Sequence, residues 1–194
     1  MKIVQKKRSN KHTFTFNDES FNFAYEDKKG SDDVDMRYAD FPQKSSVSIE
    51  QNEWLRNVAY LWCGLGLYQL GYAIYSDASL SGKGFWLING LVCLAWAHLS
   101  KVKYSVFKTD RGNIFVIQDK KHDLIVKEIN ERRRKQLLQW YGEIDMENEP
   151  ENEIRKFNWL CEQKVISKEE AEIKIAQIEL AHKNNMPLLS DSLN

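Results

Sequence analysis

Hydrophobic and polar residues follow different patterns in successive parts of this chain. Up to about residue 52 they alternate with a period of two, as in Phe14 and Phe16 between Thr13 and Thr15. Such alternation, interrupted by polar turns, is typical of half-buried antiparallel strands. The pattern predicts four strands, at residues 13–16, 21–25, 34–38 and 47–49.

Two runs that contain no Asp, Glu, Lys or Arg follow, from Asn57 to Ser76 and from Gly84 to Ser100. A helix of about 20 residues is about 30 Å long, the thickness of the hydrocarbon core of a bilayer. The pattern therefore predicts a transmembrane helical hairpin over residues 53–100. The alternative is a buried helix pair in a soluble protein, which the polar residues Gln69, Asn89 and His98 favour.

Small residues in both runs would let two membrane helices approach each other closely. The residues predicted at this helix contact are Gly64, Gly71, Gly90 and Ala97.

The charges that flank the two runs predict an orientation. Several Lys and Arg residues precede the first run and follow the second, whereas the loop between them contains only Lys83. The positive-inside rule then places both termini in the cytoplasm, with two spans across the membrane. The N-terminus shows no apolar segment of a cleavable signal peptide.

After the second run, the alternating pattern returns. It predicts strands at residues 104–109, 114–118 and 124–129, the first two joined by a turn at Asp110–Asn113. A helix is predicted from Glu131 to Tyr141, with Asn130 as its N-cap. Neither half forms a sensible domain alone, so we expect residues 12–52 and 101–142 to form one β-rich domain with the hairpin inserted between its fourth and fifth strands.

This layout of seven strands and a closing helix resembles the pleckstrin-homology-like fold. The segments Asp35–Phe41 and Asn52–Asn57 are similar to a family of uncharacterised bacterial membrane proteins whose pleckstrin-homology-like domain is split by a transmembrane hairpin. The resemblance implies an α+β fold class and a location in the bacterial inner membrane.

The C-terminal part is predicted to be helical. An acidic linker, residues 143–152, precedes a helix that begins at Glu153, and Ser167 and Glu170 have the spacing of a capping box that starts a second helix. The hairpin over residues 153–181 resembles the SHOCT module, although Lys164 and Ala171 depart from its pattern. Residues 184–194 are predicted to be disordered. The resemblance implies a role in oligomerisation or partner binding for Phe157, Leu160, Ile173 and Ile178.

Composition excludes several classes of protein. The 194 residues include 28 Lys+Arg and 28 Asp+Glu, a balance that argues against nucleic acid as a partner. Three Cys and four scattered His show no metal-ligand spacing, and no catalytic or cofactor-binding motif is apparent. Asp32, Asp33 and Asp35 are interpreted as a solvated turn rather than a cation site. We therefore predict no catalytic residue, no metal and no cofactor.

The basic run Arg132–Lys135 suggests contact with lipid headgroups, because anionic lipid favours each nearby cation by about 1 kcal/mol. The alternative is a solvated helix face paired with Glu128 and Glu131.

These features together predict a membrane-anchored, non-enzymatic scaffold or regulatory protein. It would act through self-association or a protein partner, with lipid contacts at the cytoplasmic face. The first alternative is an immunity or stress protein that counters a membrane-acting toxin. The second is an oligomeric pore lined by Gln69 and Asn89.

Overall fold

The computed structural model describes residues 1–28 and 30–185. Within them the protein is a mixed α+β structure with antiparallel sheets. The strands are β1 (Lys2–Lys7), β2 (Asn10–Phe16), β3 (Ser20–Glu26), β4 (Ser31–Arg37), β5 (Ser46–Glu50), β6 (Val102–Thr109) and β7 (Gly112–Ile117). The helices are α1 (Glu53–Tyr75), α2 (Phe85–Leu99), α3 (His122–Tyr141), α4 (Pro150–Glu162) and α5 (Lys168–Asn185).

The chain divides into two compact units. The first comprises residues 1–45, 107–114 and the chain from Lys120 onward, and we call it the sheet unit. The second comprises residues 46–106 and 115–119, and we call it the hairpin unit.

The sheet unit is built on a four-stranded antiparallel sheet in the order β1-β2-β3-β4. Its alternating residues place Phe14, Phe16, Phe21 and Phe23 on one buried face, and the rings of Phe14 and Phe23 stack with centroids 5.0 Å apart across the β2–β3 ladder. Each fully buried ring contributes about 1.5–3 kcal/mol relative to an exposed one. The period-two prediction for β2, β3 and β4 is confirmed.

Strand β1 was not expected from the sequence. It pairs with β2 in register, with Ile3 opposite Phe14, and Ile3 is buried. A buried glutamine, Gln5, occupies the next inward position, so polar residues interrupt the alternation that signals a strand.

In the hairpin unit, the two strands that flank the helices are neighbours in a second sheet. Strands β5 and β6 are antiparallel with Glu50 opposite Val102, and the sheet order is β5-β6-β7. The expectation that the ends of the helical hairpin meet in one sheet is thus confirmed. The seven strands form one four-stranded and one three-stranded sheet, and the pleckstrin-homology-like fold is not shown.

The third strand predicted after the hairpin, residues 124–129, is wrong, because this segment is the first half of α3. The buried residues of α3 are Ile125, Ile129, Arg133, Gln136 and Leu137, and their spacing of three to four is that of one helix face. Leu124 is exposed, so the apparent alternation did not reflect burial. The helix starts at His122 rather than at Glu131.

Helices α1 and α2 form an antiparallel pair whose closest backbone contacts are made by small residues, while the rings of Trp62 and Trp86 meet edge to face with centroids 5.7 Å apart. A Cβ on Gly66 would lie 2.4 Å from the backbone nitrogen of Leu87, and one on Gly90 would lie 2.7 Å from the backbone nitrogen of Cys63. Ala59, Ala73 and Ala97 are also buried. The two backbones therefore approach as closely as glycine permits.

Among the described residues, no helix combines the length and the apolar character that a bilayer crossing requires. Helix α2 has 15 residues, or about 22 Å at 1.5 Å per residue, below the roughly 17–25 residues of a typical span. Helix α1 has 23 residues, but Gly, Tyr and Gln dilute its apolar ones. The predicted transmembrane hairpin and its two-span topology in the inner membrane with cytoplasmic termini are therefore wrong.

Helices α4 and α5 form the predicted second helical hairpin. Helix α4 begins at Pro150 in the expected linker, and α5 continues to Asn185, so the predicted disordered segment 184–194 lies largely outside the described residues. The capping box is confirmed: Ser167 N–H donates to Glu170 Oε2 at 2.8 Å, and Glu170 N–H donates to Ser167 Oγ at 3.1 Å. Lys164 has φ +55° in the turn, where glycine is usual.

A buried carboxylate fixes the start of α4. Glu153 accepts hydrogen bonds from Lys156 Nζ at 2.6 Å, from Asp145 N–H at 3.1 Å and from Asn148 Nδ2 at 3.1 Å. Burial by itself would raise the pKa of Glu153, but these donors outweigh it and lower the pKa. The ionised form is therefore stabilised by folding.

Replacing Gly66 should destabilise the hairpin unit. Gly66→Ala places a methyl group against the Leu87 backbone, which we expect to cost about 1–3 kcal/mol in free energy of unfolding. Gly64→Ala is the matched control, because nothing lies within 4 Å of its added Cβ and alanine favours helix by about 1 kcal/mol. Urea unfolding followed by circular dichroism measures both; equal stability of the two variants would contradict the close contact.

Replacing Glu153 should destabilise the protein in a pH-dependent way. Glu153→Gln loses hydrogen bonds to a charged acceptor, worth about 1.5–3 kcal/mol at pH 7. Because folding lowers the pKa of Glu153, this stabilisation is present above the unfolded pKa and disappears as pH falls through the folded one. Urea unfolding at pH 7 and pH 3 should show the difference from wild type shrinking in acid. Glu151→Gln, an exposed carboxylate in the same turn, is the control, and an equal loss there would refute the assignment.

Candidate interaction surface

Large apolar side chains of α1 and α2 project outward instead of into the contact between the two helices. Fifteen of them are 44–89% exposed. We call this set the outer surface of the hairpin; it consists of Trp54, Tyr60, Leu61, Leu65, Leu67, Tyr68, Tyr72, Ile74 and Tyr75 on α1 and of Phe85, Ile88, Leu91, Val92, Trp96 and Leu99 on α2.

The outward position of these side chains follows from the small residues between the helices. Ala59, Gly66 and Ala73 lie seven residues apart along α1, as do Gly90 and Ala97 along α2. Seven residues are nearly two helical turns, so each set forms a straight seam. Because alanine and glycine occupy the seam, the bulky residues fall on the remaining faces of each helix.

Polar groups within the outer surface are few and uncharged. Asn89 donates from Nδ2 to the carbonyl of Phe85 in its own helix at 2.8 Å, and Gln69 is half-buried. Gly64 and Gly71 were predicted at the helix contact, yet open space surrounds the position of a Cβ at each. They lie on exposed parts of α1, whereas Gly90 and Ala97 lie in the seam.

The residues assigned to oligomerisation in the second hairpin are mostly covered by their own chain. Phe157, Leu160 and Ile178 are buried with Leu137 of α3 in one hydrophobic cluster. Ile173 is 59% exposed. Of the four, Ile173 is thus the accessible one in this arrangement.

The basic run on α3 is used largely for internal contacts. Arg132 pairs with Glu128 at 2.7 Å and its guanidinium lies 5.7 Å from the ring centroids of Phe16 and Tyr38. Arg133 is buried, and Arg134 donates from Nε to the carbonyl of Val165 at 2.7 Å. Lys135 is exposed. The run therefore spreads around α3 and does not present one flat basic face.

The three residues interpreted as a solvated turn, Asp32, Asp33 and Asp35, lie within β4 instead, so that interpretation is wrong. Asn22 Nδ2 donates to Asp33 Oδ2 at 2.9 Å and to Asp35 Oδ1 at 3.1 Å. In the part of the chain that the structure describes, no group of His, Cys, Asp and Glu side chains is arranged to hold a metal ion.

Comparison with known proteins finds no match to a family model, to a curated protein or to a solved structure. The predicted membership in a family of bacterial membrane proteins with a split pleckstrin-homology-like domain and a SHOCT-like hairpin is overturned by this result. The lack of a bilayer-spanning helix among the described residues contradicts it as well.

Sequence reasoning identified the apolar residues of the outer surface but assigned them to lipid. The signal that distinguishes the two environments is the distribution of tyrosine. Tyr60, Tyr68 and Tyr72 extend along most of α1, whereas a membrane helix concentrates such residues near the two interfaces.

Proposed function

We propose that this protein is a non-enzymatic scaffold that self-associates, with the outer surface of one hairpin covered by that of a second copy. The observation that supports this most directly is the exposure of fifteen large apolar side chains on one helical pair. A monomeric protein rarely exposes a contiguous apolar patch above roughly 300–600 Å².

The outer surface is large enough for a stable interface. Its seven aromatic side chains are 58–89% exposed, and at roughly 200 Å² each they expose on the order of 900 Å². A stable interface needs about 800 Å² from each partner.

The chemistry of the outer surface favours a second copy of the same surface. The helices contain no charged residue between Asn57 and Ser76 or between Gly84 and Ser100, so a charged partner would lose hydration without an ion pair in return. An uncharged, aromatic-rich surface is complementary to itself, and tyrosine is enriched at protein interfaces. Two antiparallel hairpins side by side would form a four-helix arrangement.

Introducing charge on both helices should dissociate the assembly. Leu61 and Val92 are 61% and 58% exposed, so Leu61→Glu/Val92→Glu should fold normally. Loss of two buried apolar contacts costs about 1.5–3 kcal/mol each, which raises the dissociation constant at least 100-fold. We expect light scattering after size-exclusion chromatography to show a dimer or larger species for the wild type and a monomer for the variant.

The matched control is Ile173→Glu, the same kind of change at a 59% exposed position of α5. It should leave the assembly intact. A monomeric wild type would refute the proposal. So would dissociation by Ile173→Glu alone, which would place self-association on the second hairpin. Binding of the hairpin to neutral vesicles without self-association would assign the outer surface to lipid instead.

A further inference from the structure

A cavity of about 580 Å³ lies in the sheet unit, beside α3 and the turn between α4 and α5. Its charged lining residues come from three separate parts of the chain: Lys44 before β5, Arg133 and Arg134 on α3, and Glu162 and Lys164 at the end of α4. The volume falls within the roughly 300–1,000 Å³ of small-molecule sites.

Arg133 is the unusual residue of this cavity. Arg133 is only 6% exposed, and its Nε has no hydrogen-bond partner in the described part of the chain. Nη1 donates to the carbonyl of Gln163 at 3.3 Å, and Nη2 donates to the side-chain oxygen of the same residue. Burial lowers the pKa of Arg133, because desolvation disfavours the charged guanidinium.

The cations of the cavity lack carboxylate partners. No carboxylate oxygen among the described residues lies within 4.0 Å of the charged nitrogens of Lys44, Arg133, Arg134 or Lys164. Glu162 contributes one negative charge, Glu170 contributes another through its electrostatic interaction with Arg134, and the C-terminus of α4 contributes about half of one. Four positive charges against these leave a net of about +1.5 around the cavity.

A purely structural role explains part of this cluster. Arg133 and Arg134 donate to the carbonyls of Gln163 and Val165 and so tie the α4–α5 turn to α3. This structural role does not require Lys44 or Lys164. It also leaves the buried guanidinium of Arg133 without an anion. A buried charge that lacks a counter-charge is costly, and a bound anion removes that cost.

We propose that this cavity binds a phosphate group, with Arg133 and Arg134 as its inner ligands and Lys44 and Lys164 as the outer ones. A phosphate carries up to two negative charges and several acceptor oxygens, which match the net charge and the planar donors of arginine. The site is independent of the outer surface of the hairpin, because all its residues belong to the sheet unit.

Isothermal titration calorimetry with pyrophosphate, on the full chain, tests this site. We expect saturable binding with one ligand per chain, and a dissociation constant raised about 10-fold or more in Lys44→Gln/Lys164→Asn. Asparagine is chosen at 164 because it tolerates the positive φ of this residue. Lys135→Gln is the matched control, since Lys135 lies on α3 next to Arg134 but does not line the cavity.

Co-sedimentation with vesicles separates the two sources of a phosphate group. Binding to phosphatidylcholine vesicles that contain phosphatidic acid, lost in the double variant, would identify a lipid headgroup as the ligand. Binding of pyrophosphate alone would identify a free phosphate compound. The proposal fails if neither probe binds, or if Lys135→Gln weakens binding as much as the double variant does. Circular dichroism of both variants verifies that they remain folded.

Discussion

The side-chain amide of Gln136 joins separate parts of the sheet unit to α3. Its Oε1 accepts from the backbone N–H of Ala39 at 2.8 Å, and its Nε2 donates to the carbonyl of Glu19 at 2.8 Å. The next residue, Leu137, is buried with α4 and α5. Two adjacent residues of α3 thus contact different parts of the sheet unit: Gln136 contacts the segments around Glu19 and Ala39, and Leu137 contacts α4 and α5. Both contacts exist only if α3 keeps its register. A buried amide left unsatisfied would cost about 1–3 kcal/mol, so this register is strongly favoured.

The residues on the buried face of each element explain which elements the sequence predicts. Strands β2 and β3 face a core on one side, and their alternating Phe residues report this directly. Helix α3 also buries one face, but that face includes polar residues such as Arg133. Its apolar residues near Ile125 then resemble a short strand when they are read in isolation. For this reason residues 124–129 were predicted as a strand, although they belong to α3.

The candidate sites differ in how far sequence could reveal them. The charge-free runs within α1 and α2 indicate that an apolar surface exists, but hydrophobicity alone does not state what covers it. Their apolar content was enough to suggest lipid, and the 15-residue length of α2 and the tyrosines of α1 argue against a bilayer crossing. The cavity beside α3 could not be predicted from the sequence, because Lys44 and Lys164 are 120 residues apart in the chain and no local pattern connects them.

The seam of Ala59, Gly66, Ala73, Gly90 and Ala97 has an energetic consequence. Burial of a methylene-sized group contributes only about 0.8 kcal/mol, and glycine contributes no side chain at all. Apart from the edge-to-face contact of Trp62 with Trp86, whose ring centroids are 5.7 Å apart, closure of α1 on α2 therefore buries little side-chain volume. In the proposed self-association, a second copy would cover a larger apolar area, so folding of the hairpin unit would be linked to occupancy of the outer surface by mass action. In such a protein the melting temperature rises with its own concentration, and dilution alone acts as a denaturant.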